Sequence, residues 1–331
     1  MDLDQTIVLE FPEERKFNIC PVCGAEMKFS PDGKNTLRCP VCNYLKKSRS
    51  IIEPGNVVIN KYRILSKLAH GAFGDIYLCY PLDNVAERYV LKQLRTGSGN
   101  SCHRFRREAE MMASIGNDDR IVQIIDFWEE DDSMFIIMEY VRGMNLRQAK
   151  QEYVFDEISA WQIAVEMVLA LSYIWNEYSL IHRDIKPENI MLDEDFRLKI
   201  LDFGLCKQCG SDSVVGLTIA NATLGTPGYM SPEQFVDSKH VDFRSDIFSL
   251  GATVYFLLTG ENPFSAADLD QVYEKTLQNS PPPAESLQSV CSDSGIAIIQ
   301  KMMMRKPQDR YSSYMELQED IEKQLAALGV E

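Results

Sequence analysis

The chain has 331 residues, enough for about two domains, and at 45% hydrophobic residues it has ample material for a large core. Its formal charge is -15, with Asp+Glu 49 against Lys+Arg 34, which argues against nucleic acid or an anionic membrane as a bulk partner. Met1-Asp2-Leu3-Asp4 is acidic where a secretory signal is basic, and the longest apolar run, Ile247 to Leu258, is too short to span a bilayer. The expectation is a soluble, cytoplasmic protein with no membrane and no nucleic acid among its partners. Nine cysteines, four of them in two Cys-x-x-Cys pairs, favour metal over disulfides in a reducing compartment.

Residues 1-17 form an acidic, partly apolar leader. Residues 18-47 hold Cys20-Pro-Val-Cys23 and Cys39-Pro-Val-Cys42, separated by fifteen residues. Each pair can form a tight knuckle that presents two thiolates, and two knuckles complete a closed tetrahedral site for a structural Zn2+. Pro31 to Asn35 reads as a hairpin turn. The segment resembles a zinc ribbon, with Cys20, Cys23, Cys39 and Cys42 as ligands; a redox dithiol pair or an iron site is the alternative. So short a segment cannot bury enough core by itself, so zinc would supply its folding energy. Between Arg15 and Arg49 eight basic residues stand against two acidic ones. This basic face either docks on the acidic remainder, meets an unknown outside partner, or is simply solvated. Residues 48-61 read as linker into a second domain at 62-326.

Tyr62 to Leu68 alternates as a strand does. The glycine-containing stretch Leu68-Ala69-His70-Gly71-Ala72-Phe73-Gly74-Asp75-Ile76 follows it. Tyr89-Val90-Leu91-Lys92 is an apolar strand ending in a lysine. After a Gly- and Ser-rich connection, Phe105, Ala109 and Met112 share one helix face. Glu108 lies on that face and needs a cationic partner, for which Lys92 is the candidate; Glu110 points elsewhere. Met134 to Tyr140 reads as a buried strand, and Ile158, Trp161, Val165 and Val168 as an amphipathic helix. Then come Ile181-His-Arg-Asp-Ile-Lys-Pro-Glu-Asn189 and Asp202-Phe-Gly204, polar groups set among apolar runs. Such groups cost free energy unless paired or used. Two carboxylates and an amide suit a hard cation such as Mg2+, and a lysine suits a phosphate. The run opened by Asp246 is apolar on all sides and predicts a buried helix.

His182-Arg183-Asp184 with Asn189, followed by Asp202-Phe203-Gly204, resembles the catalytic core of Hanks-type serine/threonine protein kinases, as found in bacteria. The resemblance covers roughly residues 62-325, with its motifs in the family's order. It implies an α+β bilobal fold, with a small sheet-rich N-lobe and a large helical C-lobe. It also implies ATP and Mg2+, and Ser/Thr hydroxyls of protein substrates as acceptors in signal transduction. In that scheme Asp184 orients the acceptor hydroxyl and takes its proton, and Lys186 contacts the transferred group. Asn189 and Asp202 hold Mg2+, while Lys92, fixed by Glu108, holds phosphates. Leu68 to Ile76 folds over the nucleotide, Met138 backs its pocket, and Glu139-Tyr140-Val141 is the hinge facing adenine. The family's first loop glycine is Ala69 here, which implies a slightly stiffer loop. Asp246 should bond the catalytic-loop backbone, and Glu233 should pair with Arg310. Residues 202-233 resemble an activation segment. Autophosphorylation is expected at Thr218, ahead of Thr223, Ser211 and Ser213, with Arg183 and Lys207 gripping the phosphate. The alternative is a kinase-shaped scaffold whose zinc ribbon binds a partner. Its usual mark is loss of the base, the phosphate lysine or a magnesium ligand, and none is lost.

Overall fold

The computed structural model describes residues 52-71, 74-95, 110, 113-115, 118-130, 133-201, 207-208, 227-236, 241-266, 268-278 and 281-330, with three short strands nearer the N-terminus. Cys20, Cys23, Cys39, Cys42, Ala72, Phe73, Glu108, Asp202, Ser211, Ser213, Thr218 and Thr223 lie outside the described residues. The chain divides into two compact units, Met1–Asn56 and Val57–Glu331. In the first, β1 (Lys28–Phe29), β2 (Thr36–Arg38) and β3 (Leu45–Lys47) form an antiparallel sheet, with Lys28 opposite Arg38 and Thr36 opposite Lys47. The paired β1 and β2 flank the expected Pro31 to Asn35 turn, which itself lies outside the described residues.

The second unit begins with a six-stranded antiparallel sheet. Its strands are β4 (Val57–Val58), β5 (Tyr62–Gly71), β6 (Gly74–Pro81), β7 (Tyr89–Arg95), β8 (Ile124–Glu130) and β9 (Ser133–Glu139), in the order β4-β5-β6-β7-β9-β8. β-Branched and aromatic residues with period two favour such strands. One face is largely covered: Tyr77, Cys79, Leu91, Phe135 and Ile137 are buried. Tyr62, Trp128 and Phe135 stack in series, with ring centroids 6.4 and 5.0 Å apart.

The helical part follows. β10 (Gly143–Asn145) leads into α1 (Leu146–Glu152), and α2 (Glu157–Tyr178) runs through the core. Asp156 caps α2 by accepting from Ser159 N, and Ser179, at φ 52°, ends it. The amphipathic expectation for α2 holds with a narrow polar face: only Gln162, Glu166, Asn176 and Glu177 are exposed, and at helical spacing they share one side. Ile158 and Val165 are half-buried, whereas Ala160, Ala164, Met167 and Ala170 are buried beside Trp161. The small alanines let neighbouring helices approach on several sides. By length and composition α2 could cross a membrane, but here it is the central core helix.

β11 (Leu180–Ile181), β12 (Ile190–Asp193) and β13 (Leu198–Ile200) follow, and β14 (Lys207–Gln208) pairs with β11. α3 (Pro232–Val236) precedes α4 (Arg244–Thr259), which is buried from Ser245 to Leu258 as its uniform apolarity predicts. Ser249 and Thr253 avoid unpaired hydroxyls there by donating to carbonyls four residues back, at 3.1 and 2.9 Å. α5 (Leu269–Gln278), α6 (Asp293–Met302) and α7 (Tyr314–Ala327) complete the helical part. The Glu157 carboxylate binds α6 and α7 to α2. It accepts from Ser292 N at 2.9 Å, Ser292 Oγ at 2.8 Å and Gln324 Nε2 at 2.8 Å.

Candidate active site

The loop after β11 is held from beneath. Asp246 Oδ2 accepts from His182 N at 2.7 Å, and Oδ1 accepts from Arg183 N at 2.8 Å. Burial pushes the pKa of Asp246 up, and the two backbone donors oppose that shift. His182 is buried, with Nε2 2.9 Å from Leu201 O. Arg183 sits at φ 67°, a left-handed backbone that a long side chain rarely adopts. Asp246 at its N–H and Gln234 Nε2, 3.0 Å from its carbonyl, fix that conformation on both sides. Strain held in this way is a feature of functional loops.

The next residues converge. Lys186 Nζ donates to both oxygens of Asp184, at 3.0 and 2.8 Å. Asn189 Nδ2 donates to Asp184 O and Oδ2, both at 2.8 Å. Asn189 stands in a single 3-10 turn, Pro187–Asn189, which returns its side chain onto Asp184. The amide nitrogen being so engaged, the oxygen of Asn189 is the atom left for a hard cation. A carboxylate, an amide oxygen and an ammonium in one cluster fit Mg2+ and phosphate by chemistry.

The sheet places the expected nucleotide residues on one face. Ala69 lies opposite Ile76, Ile76 opposite Lys92, and Lys92 opposite Ile136. Val90 lies opposite both Leu78 and Met138. Cross-strand partners share a face, so Ile76, Val90, Lys92 and Met138 stand together. All four are half-buried, in contrast to the covered opposite face. Leu68, Ala69 and His70 are exposed, Gly71 and Gly74 pair at the tip of the hairpin, and Asp75 takes Lys67 at 2.7 Å.

At the expected hinge, Glu139 N donates to Gln123 O at 3.0 Å, so that amide is not one that adenine would use. The Glu139 side chain accepts from Lys199 Nζ at 2.7 Å, tying the end of β9 to β13. Val141 is buried. Glu233 and Arg310 pair as expected, at 2.7 and 2.8 Å.

Among the contacts that the sequence did not suggest are Lys199 with Glu139 and Arg147 with Glu188. Their partners are sixty and forty-one residues apart, with no local pattern to link them. A cavity of about 810 Å³ also exists, lined in part by Phe155, Ile163, Leu192 and Phe196. None of Asp184, Lys186, Asn189 or Lys92 lines it.

Residues 62–321 match the protein kinase domain family. The chain is 33% identical over 276 residues to the serine/threonine-protein kinase PrkC of Bacillus subtilis, covering 81% of this chain and 41% of that protein. It is 34% identical over 271 residues to the serine/threonine-protein kinase pkn3 of Myxococcus xanthus, covering 78% and 49%. With the serine/threonine-protein kinase PknB of Mycobacterium tuberculosis it shares 30% over 271 residues, covering 79% and 42%. The chain thus spans less than half the length of these curated relatives. With a family match across most of its length and a loop built around Asp184, the chain belongs to the protein kinase domain family.

Proposed function

We propose that the chain is an ATP-dependent protein serine/threonine kinase of the cytoplasm, where ATP is at hand. The observation that carries this reading is the hydrogen-bonded group Asp184, Lys186 and Asn189. Phosphoryl transfer asks a protein for positioning and charge neutralisation more than for covalent chemistry. Asp184 orients the acceptor hydroxyl and takes its proton. Lys186, now on the Asp184 carboxylate, swings or shares its donors to the transferred group. Lys92, with Glu108 as partner, holds phosphate oxygens beneath the hairpin of residues 68-76. Ile76, Val90 and Met138 offer the apolar wall for adenine. Asn189 and Asp202 would hold Mg2+, which neutralises phosphate charge when bound. Acceptors are Ser and Thr hydroxyls of proteins, as the names of the relatives support.

Three finer readings belong to this proposal. Residues 18-47 form a zinc ribbon ligated by Cys20, Cys23, Cys39 and Cys42, set off by a linker at 48-61 from a kinase domain at 62-326. The ligand spacing and the small antiparallel sheet of β1 to β3 support it; an outside protein is the partner of its basic face. The segment 202-233 is phosphorylated by the enzyme itself, first at Thr218. Pairing of Lys207 with Ile181, two residues before Arg183, supports a shared phosphate grip. The test is transfer of labelled phosphate from ATP to protein by wild type beside Lys92→Met, with acid hydrolysis to identify the phosphorylated residue type. Label on serine or threonine with wild type alone is expected. Equal labelling by both proteins contradicts the reading.

A further inference from the structure

Three distant parts of the chain meet at Arg147, the second residue of α1. Its Nε donates to Glu188 Oε1, and its Nη2 donates to the Tyr229 hydroxyl at 3.1 Å. Its guanidinium lies 4.8 Å from the ring centroid of Phe256 on α4. Glu188 stands in the turn between Lys186 and Asn189, the two residues that hold Asp184. Tyr229 closes the turn Pro227–Tyr229 that leads into α3, and it is buried edge-on against Phe256. A buried phenol needs a polar partner, and Arg147 supplies it. The second oxygen of Glu188 is buried with no hydrogen-bond partner, so Arg147 carries the pairing of this carboxylate.

These contacts complete a pattern. The segment 227–234 is held against the catalytic loop at two points. Gln234 reaches Arg183 O directly, and Tyr229 reaches Glu188 through Arg147. A polypeptide that brings its hydroxyl to Asp184 must pass along this joined wall. On the kinase reading above, the geometry points to Arg147 as a positioning residue for the acceptor polypeptide, acting through Glu188 and Tyr229. The planar fork of arginine presents donors in two directions at once; the single ammonium of lysine does not. Phe256 packs under the guanidinium, and Glu188, Tyr229 and Phe256 all lie away from β5 to β9, so ATP should not sense Arg147.

The test uses the full chain, with dephosphorylated casein as acceptor. Wild type, Arg147→Met, Arg147→Lys, Glu188→Gln and the Arg147→Met/Glu188→Gln double variant are compared in steady-state kinetics. Methionine keeps the packing on Phe256, and lysine keeps the charge should methionine fold poorly. Loss of a charge-assisted, half-buried hydrogen bond predicts an acceptor KM raised about 10-fold in Arg147→Met, with the KM for ATP within about twofold of wild type. Lysine should restore only part of the loss, and the double variant should be no worse than Arg147→Met, because the two side chains act as one unit. An unchanged acceptor KM in both Arg147 variants overturns the inference. So does a rise in both KM values together with a fall in melting temperature, which marks a purely structural residue. Wild type that transfers no phosphate at all refutes the kinase reading instead.

Discussion

Arg310→Met removes the charge that Glu233 was folded around. The Arg310 side chain has no exposed surface and that of Glu233 is 20% exposed. Five hydrogen bonds leave with the guanidinium: two to Glu233, and those to Met304 O at 2.7 Å, Arg244 O at 2.8 Å and Arg305 O at 3.3 Å. Methionine still packs on Phe248, over which the guanidinium now lies at 4.9 Å. Glu233 keeps one donor, Ser245 Oγ at 2.7 Å. Breaking a buried pair from one side typically costs about 3–5 kcal/mol. Roughly 10 °C should be lost from the melting temperature of a domain of this size. The pH dependence gives the argument a sign. Burial pushes the Glu233 pKa up, and the hydrogen bonds and charge of Arg310 outweigh it, leaving a lowered value. A lowered pKa means stability present above the unfolded value of about 4.3 and lost as pH falls through the folded one. In the variant burial prevails, so the ionised carboxylate destabilises at neutral pH and is relieved by protonation. The gap between the two proteins should therefore narrow on acidification from about pH 7 to about pH 4. Urea unfolding at both pH values measures it. A loss below about 1 kcal/mol at neutral pH, or a gap that widens in acid, would refute the reasoning.

Asp246→Asn keeps the size of the side chain but leaves one of the His182 and Arg183 amides facing an amino group. A stability loss of about 1–3 kcal/mol is expected in denaturant unfolding, with at least a tenfold drop in phosphoryl transfer as the loop loosens. Gly74→Ala would drive a methyl into the carbonyl of Gln93 on the next strand. Backbone cannot yield as a side chain would, so calorimetry should register a loss of about 1–3 kcal/mol. Phe196→Asn should work in the other direction. Phe196 sits at φ 59° and is 62% exposed, so asparagine removes left-handed strain at little loss of burial, and a gain of about 1 kcal/mol is expected from thermal melting.

The residues whose meaning was legible in the sequence are those whose partners are nearby or dictated by chemistry. Asp184, Lys186 and Asn189 fall within six positions, and a polar cluster inside apolar strands has few uses. Asp246 at the head of an all-apolar helix, and the acid Glu233 bracketed by Ser231-Pro232 and a later Arg310, were legible through the family resemblance. The sheet was legible from period-two alternation in β5 and from short apolar runs in β7 and β9. What the sequence hides is which surface of a helix meets another. The four spaced apolar residues of α2 predict one stripe, yet alanines between them open further faces to packing. Arg147 carried no signal either. A basic residue in the first turn of a helix reads as solvated, and its two partners lie far along the chain. The hinge shows a subtler limit: resemblance named Glu139, but only the register of β8 against β9 reveals that its amide is engaged by Gln123.

The central claim is that Asp184, held by Lys186 and Asn189, serves phosphoryl transfer from ATP to protein hydroxyls. The direct measurement is the rate of label transfer from ATP by purified wild type beside Asp184→Asn, each checked for intact folding by its melting temperature. The substitution preserves shape but removes the carboxylate that takes the proton, and charge lost from such a site typically costs about 3–4 kcal/mol of barrier, or roughly a hundredfold to a thousandfold in rate. A folded Asp184→Asn protein slowed by that factor or more is the predicted result. A folded variant that phosphorylates as fast as wild type would contradict the account.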